Sequence, residues 1–147
     1  TACESAFLRQ LDRYFFAPVP CVSPGSRVRL SGDGPSSWTV YMTVCRPKTK
    51  EFAKWGTLPG AYIYSNATQD KSGAVIGGKP LDMMRAIVRD YSRPGDLVCD
   101  PCAGAATTLI AASMEGRRSI GCELDEETFE YACHRISNGV QSPLFTE

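Results

Sequence analysis

The stretch Leu97-Val98-Cys99-Asp100-Pro101-Cys102-Ala103-Gly104-Ala105-Ala106-Thr107-Thr108, "LVCDPCAGAATT", passes from an apolar run through an acid and a turn of small residues into hydroxyls that open a helix. Leu97–Asp100 reads as a short buried strand, and Thr107 to about Glu115 as a helix stopped by Gly116. Working upstream, Pro80 at a first helical position precedes Leu81, Met84, Ile87, Val88 and Tyr91 at spacings of three and four, which predicts a helix ending at Arg93-Pro94-Gly95. Downstream, Ser119–Glu123 predicts a second strand that also ends in an acid. Asp125 then caps a third helix with Phe129, Ala132, Cys133 and Ile136 at helical period, closed by Asn138-Gly139. The order α-β-α-β-α over residues 79–138 implies a parallel pair of strands, because a helical crossover returns the chain in the same direction. The fold class is therefore α/β, part of a doubly wound sheet with helices on both faces.

The amino-terminal half is less regular. Phe7, Leu8, Leu11 and Phe15 predict an amphipathic helix over residues 3–16, and Val19 to Leu30, broken by Pro20, Pro24 and Gly25, reads as strand pieces and loop. "SGDGPSS" is a turn, and "WTVYMTVCR" after it a strand that forms a β-hairpin with Val28–Leu30. Residues 47–78 are irregular and polar, with one short strand candidate at Ala61–Tyr64. The expected organisation is one domain, itself incomplete: helix and hairpin strands over 1–46, an irregular basic loop region over 47–78, and a ligand-binding α-β-α-β-α unit over 79–147.

The 147 residues carry sixteen Lys and Arg against sixteen Asp and Glu, for zero net charge. The balance is uneven: residues 1–59 hold eight basic against four acidic side chains (+4) and residues 60–147 eight against twelve (−4). The seven cysteines, odd in number and irregularly spaced, with no secretory signal or apolar span, imply reduced thiols, a cytoplasmic setting and no membrane association.

In parallel α/β sheets, ligands sit at the carboxyl ends of the strands, against turn amides and helix N-termini. Gly104 allows close approach, and Ala103, Ala105 and Ala106 leave room. Glu123, at the end of the next strand, is placed to accept hydrogen bonds from both hydroxyls of a ribose. The turn lacks G-x-G-x-x-G, and Asp100 repels a pyrophosphate. An acid there suits a cationic ligand, and the amino group and sulfonium of S-adenosylmethionine meet that demand.

The segment from "GGKPLDMMRAIV" through "DPCAGAATT" to "IGCELDEETFEYACHRI" resembles the carboxyl-terminal part of DNA amino-methyltransferases of the beta arrangement, phage-encoded forms included. In that family a K-P motif and a helix precede D-P-F-x-G-S-G-T-T, and G-x-E-L follows. The resemblance implies a Rossmann-like methyltransferase sheet that binds S-adenosylmethionine through Lys79, Asp100, Pro101, Cys102, Ala103, Gly104, Thr107, Thr108 and Glu123. It further implies methyl transfer to an exocyclic amino group of a DNA base, N6 of adenine ahead of N4 of cytosine, as in restriction-modification systems. Cys102 stands where the family has an aromatic, and Ala105 and Ala106 where it has Ser and Gly. A residue with a Cβ at 106 predicts a rearranged turn.

The family's catalytic Asp/Asn/Ser-Pro-Pro-Tyr/Phe/Trp motif occurs nowhere in these residues, so no catalytic residue is assigned. The chain, which begins at Thr1, is expected to need the upstream half of the domain, a companion subunit or a second copy in a homodimer. "CRPKTKEFAKW" interleaves Arg46, Lys48, Lys50 and Lys54 with Phe52 and Trp55; with the resemblance, Arg46, Lys48, Lys50, Lys54 and Trp55 become candidate contacts to double-stranded DNA. The alternatives are a non-catalytic cofactor- or DNA-binding subunit, or a small-molecule methyltransferase. Cys99-x-x-Cys102 with Cys122, Cys133 and His134 has poor spacing for zinc, and the thiols read instead as buried strand residues.

Overall fold

A computed structural model describes residues 14–25, 38–47, 56–65 and 78–138, with the side chains of 14–16, 46 and 47 excepted. Its elements are β1 (Tyr14–Val22), β2 (Thr39–Pro47), β3 (Tyr62–Ile63), α1 (Leu81–Tyr91), β4 (Leu97–Asp100), α2 (Thr107–Met114), β5 (Arg118–Gly121) and α3 (Glu126–Ser137). They fall in two compact units, Thr1–Ile63 and Tyr64–Glu147.

In the first unit β1 pairs antiparallel with β2 over their whole lengths, from Tyr14 opposite Pro47 to Val22 opposite Thr39, and β3 lies parallel to the end of β1 at Cys21 and Val22. Pro18 and Pro20 explain why β3 is so short. Alternate residues of a strand offer their backbone groups to the same side, so two prolines two apart keep the β2 ladder only with both nitrogens turned away from it. The opposite edge then lacks donors until Val22, where β3 begins. Val19, Cys21 and Tyr62 are buried around this junction.

One expectation is corrected here. Tyr14–Phe16, expected to end a helix, begin β1; the rest of that predicted helix lies outside the described residues. The "WTVYMTVCR" strand pairs with β1; the hairpin expected with Val28–Leu30 lies outside the described residues. Aromatic and β-branched residues at 14–22 satisfy a strand as well as an amphipathic helix, and non-local pairing decides between them.

In the second unit β4 and β5 are parallel, Leu97 opposite Arg118 through Asp100 opposite Gly121. Pro80 stands just outside α1 as its extended capping residue. The carboxyl end of α2 is closed at Gly116, φ +74, whose N–H donates to the Ser113 carbonyl while the Arg117 N–H reaches back to Ala112. This double closure needs left-handed backbone at the glycine. Val88, Ala111 and Ala112 form the buried centre, with Leu81, Met84 and Val98 packed around them. Arg117 ties the helix ends together: its guanidinium donates to the Ser92 hydroxyl (2.9 Å), to the Ser92 carbonyl (2.9 Å) and to the Glu115 carbonyl. Glu115, its side chain only 11% exposed, pairs with Arg85 at 2.8 Å.

The strands are not buried as expected. Val98 packs on the helices, but Leu97 (57% exposed) and Ile120 (56%), with Cys99 between them, share an uncovered face. The thiols follow: Cys21 is buried, and desolvation pushes its thiol up, whereas Cys45, Cys99, Cys102, Cys122 and Cys133 are exposed. Along α3 only Ala132 is buried, while Phe129 and Ile136 stay half exposed. No described helix is long and apolar enough to cross a membrane.

Candidate functional site

The carboxyl ends of β4 and β5 are laced together. The Asp100 carboxylate accepts the Cys102 N–H (3.2 Å) and bends the chain as it leaves β4. The Cys122 N–H then donates to the Asp100 carbonyl at 3.1 Å, and the Ala103 N–H to the Cys122 carbonyl at 2.8 Å. Gly121 permits this closeness: a Cβ there would lie 2.9 Å from Leu109 Cδ1, 3.0 Å from the Asp100 oxygen and 3.1 Å from Ala103 Cβ.

Glu123 closes the cradle from the β5 side. Its Oε2 accepts the Gly104 N–H at 2.8 Å, and its Oε1 the N–H groups of Leu124 (2.8 Å) and Asp125 (3.1 Å). These backbone donors, Asp125 foremost, then Gly104 and Leu124, hold its carboxyl below the usual glutamate range. It is ionised at neutral pH, and since each carboxylate oxygen accepts about two hydrogen bonds, Oε2 keeps one position for an outside donor. Asp125 is likewise held low, by the Thr128 hydroxyl and then the Thr128 amide, as it caps α3.

Ala106 caps α2 in left-handed backbone, φ +59 and ψ +23, fully buried, so the alanine takes a positive φ that glycine adopts without strain. That conformation costs a non-glycine residue roughly 1–2 kcal/mol. The Ala106 N–H donates to the Ala103 carbonyl at 2.8 Å, and Arg135 of α3 donates to the neighbouring Ala105 carbonyl.

The structure thus brings Asp100, Ala103, Gly104 and Glu123 into one hydrogen-bonded cradle, with Pro101 and Cys102 exposed at its lip. Thr107 is buried, its hydroxyl 3.4 Å from Arg135, and Thr108 is half buried. Lys79 is exposed just before Pro80. Arg46 is the penultimate residue of β2, while Lys48, Lys50, Lys54 and Trp55 lie outside the described residues. Among the described residues no three metal-ligating side chains converge. Sequence reading assigned no role to Gly121 or Arg135; the first was visible as the glycine of G-x-E-L, the second carried no local signal.

Comparison with known proteins agrees with this geometry. Residues 41–134 match the family model described as DNA methylase, of the N6/N4 type. The type II methyltransferase M.HindIII of Haemophilus influenzae is 31% identical over 87 residues, covering 56% of this chain and 28% of the relative. The DNA adenine methyltransferase YhdJ of Escherichia coli is 38% identical over 58 residues, 40% of this chain and 20% of that protein. The matches thus span 28% and 20% of these relatives' length. Among solved structures, the candidate DNA modification methylase TTHA0409 of Thermus thermophilus, complexed with S-adenosyl-L-methionine, superposes with a TM-score of 0.64 at 26% identity, over 98% of this chain and 61% of that one. The cytosine-N4-specific PvuII DNA methyltransferase shares the fold, with a TM-score of 0.68 at 17% identity, over 98% of this chain and 58% of that one. Two acids at the ends of adjacent parallel strands, a glycine cradle between them and a family match over residues 41–134 lead to one conclusion: the chain belongs to the N6/N4 DNA methylase family.

Proposed function

We propose that the protein containing this chain transfers a methyl group from S-adenosylmethionine to an exocyclic amino group of a DNA base, N6 of adenine ahead of N4 of cytosine. The observation that carries the reading is the cradle of Asp100, Gly104 and Glu123, two carboxylates around a turn that leaves one acceptor position open. The donor set fits the cofactor: ionised acids for its cationic groups and ribose hydroxyls, and no phosphate-binding glycine pattern. Bound there, S-adenosylmethionine supplies a methyl group activated by positively charged sulfur. Asp100 and Glu123 hold and orient it, and Gly104 admits it closely; the chemistry is positioning, with no cysteine nucleophile. YhdJ, named a DNA adenine methyltransferase, supports adenine as the target. The basic run from Arg46 to Trp55 is the proposed DNA contact, through phosphate neutralisation.

A second reading, a cofactor-binding part that acts only with a companion segment or subunit, is favoured by two observations. The 147 residues contain no Pro-Pro-aromatic motif, and Leu97, Cys99 and Ile120 expose an apolar face. Both readings meet one experiment: tritiated S-adenosylmethionine is incubated with mixed-sequence DNA and either this chain or the full-length protein, and the methylated nucleoside is then identified. The expected result is N6-methyladenine from the full-length protein and none from the 147 residues alone. Robust transfer by the chain alone overturns the need for a companion, and N4-methylcytosine overturns the adenine assignment.

A further inference from the structure

The helix α3 reaches the cradle through one long side chain. Arg135, in its last turn, donates to the Ala105 carbonyl and lies 3.4 Å from the Thr107 hydroxyl, while its guanidinium stands over the ring of Tyr131, one turn earlier, 6.0 Å from the centroid. The two oxygens flank Ala106, the described non-glycine residue at positive φ. Little else in α3 bears on the second unit by apolar packing, since Ala132 is its buried residue and Phe129 and Ile136 stay half exposed. Both contacts come from one nitrogen, Nη1, whose two hydrogens lie in the guanidinium plane, so a single planar donor group bridges the Ala105 carbonyl and the Thr107 hydroxyl.

We propose that Arg135 is a positioning residue for the cofactor turn. By holding the Ala105 carbonyl and the Thr107 hydroxyl it keeps Ala106 left-handed, and with it the loop that carries Gly104 toward Glu123. It touches no substrate and acts through the turn. The proposal rests on the reading of that turn as the S-adenosylmethionine site.

The test measures S-adenosylmethionine affinity by calorimetry, and KM for DNA, in the full-length protein. Arg135→Ala is expected to raise Kd about tenfold, the effect of losing a charge-assisted hydrogen bond, with KM for DNA unchanged. Arg135→Lys, which keeps the charge but loses the planar Nη1 group and part of the side chain's reach, is expected to raise it about threefold. The deciding variant is Ala106→Gly. Glycine takes the left-handed conformation without a strut, so in the Arg135→Ala background it recovers most of the lost affinity, while alone it changes Kd less than about twofold. Should Arg135→Ala fail to fold, the Lys variant with and without Ala106→Gly gives the same comparison. Unchanged affinity in either folded variant, or a loss that Ala106→Gly does not recover, overturns the positioning role. A wild-type protein that binds no S-adenosylmethionine overturns the reading of the site and the proposal with it.

Discussion

The two faces of the β4–β5 pair are built from the same eight residues and have opposite surroundings. On one, Val98 meets the buried centre of Val88, Ala111 and Ala112, and the Ser119 hydroxyl, 3.5 Å away, donates to the Leu109 carbonyl. On the other, Leu97, Cys99 and Ile120 are open. A β-sheet stable in water normally covers both sides of parallel strands, because βαβ crossovers place helices there. Here the described helices α1 and α2 contribute to the first face only. The packed face accounts for how the unit holds together, and the open face leaves apolar side chains in water.

The sharpest way to break the comparison is to place one polar substitution on each face. Ala111→Asp puts an unpaired charge at a fully buried site and is expected to cost about 3–5 kcal/mol, enough to unfold the unit in a urea titration. Leu97→Thr with Ile120→Thr keeps strand-compatible side chains on the open face and is expected to change the stability of the 147-residue chain by no more than about 0.5 kcal/mol. A large loss in the isolated chain would mean that the open face is already covered there.

Arg117 comes next in size. Its guanidinium satisfies carbonyls where α1 and α2 both end, a place where a cation also opposes the helix dipoles favourably. Arg117→Ala is expected to lose about 1–3 kcal/mol by the same titration. A loss below about 0.5 kcal/mol would assign the contacts to surface decoration.

What could be read from the sequence follows the range of the forces involved. The helix from Pro80 toward Arg93, the strand at 97–100, the Asp125 cap and the parallel pairing come from local periodicity, turn residues and crossover logic, and appear in the structure, the helix as Leu81–Tyr91 with Pro80 as its cap. The β1–β2 pairing is not legible in the same way, because Tyr14–Val22 carries aromatic residues that suit either secondary structure, and the partner that selects a strand lies 17 to 33 residues away, from Val22 opposite Thr39 to Tyr14 opposite Pro47. The exposure of Leu97 and Ile120 is equally hidden: an apolar run reports a demand for cover, not whether the cover is present. At the site, the identities of Asp100, Gly104 and Glu123 are legible from motif spacing, but their mutual bonding is not. Arg135 sits thirty residues from the carbonyl it holds, beyond any short motif.

The rim between the two faces offers a pH test. Glu123 and Asp125 are both held below their ordinary values of 4.5 and 3.8. For a carboxylate lowered by folding, the native state binds fewer protons than the unfolded one, so its stabilisation is complete above the ordinary value and fades as pH falls through the lower folded value. Stability attributable to these groups should therefore be level around neutrality and decline below about pH 4.5. Glu123→Gln, which cannot accept from Gly104, Leu124 and Asp125 as a carboxylate does, should weaken the chain at neutral pH and flatten the acid decline. An acid profile identical to wild type would remove Glu123 from the lacing of the turn.

The smallest expected effect is also the most diagnostic of how far the packed face extends, since it concerns two neighbouring buried alanines. Ala105 and Ala106 are 4% and 0% exposed, and only Ala106 has positive φ. Ala105→Gly removes a buried methyl worth about 0.8 kcal/mol and adds about 0.5–1 kcal/mol of backbone entropy cost, for a loss near about 1.5 kcal/mol. Ala106→Gly incurs the same two costs but relieves roughly 1–2 kcal/mol of left-handed strain, so its net change should lie close to zero. The difference between the two variants, measured by urea titration under identical conditions, isolates the energy stored in the turn. If both lose about 1.5 kcal/mol, Ala106 carries no strain, and the turn needs no external hold from Arg135.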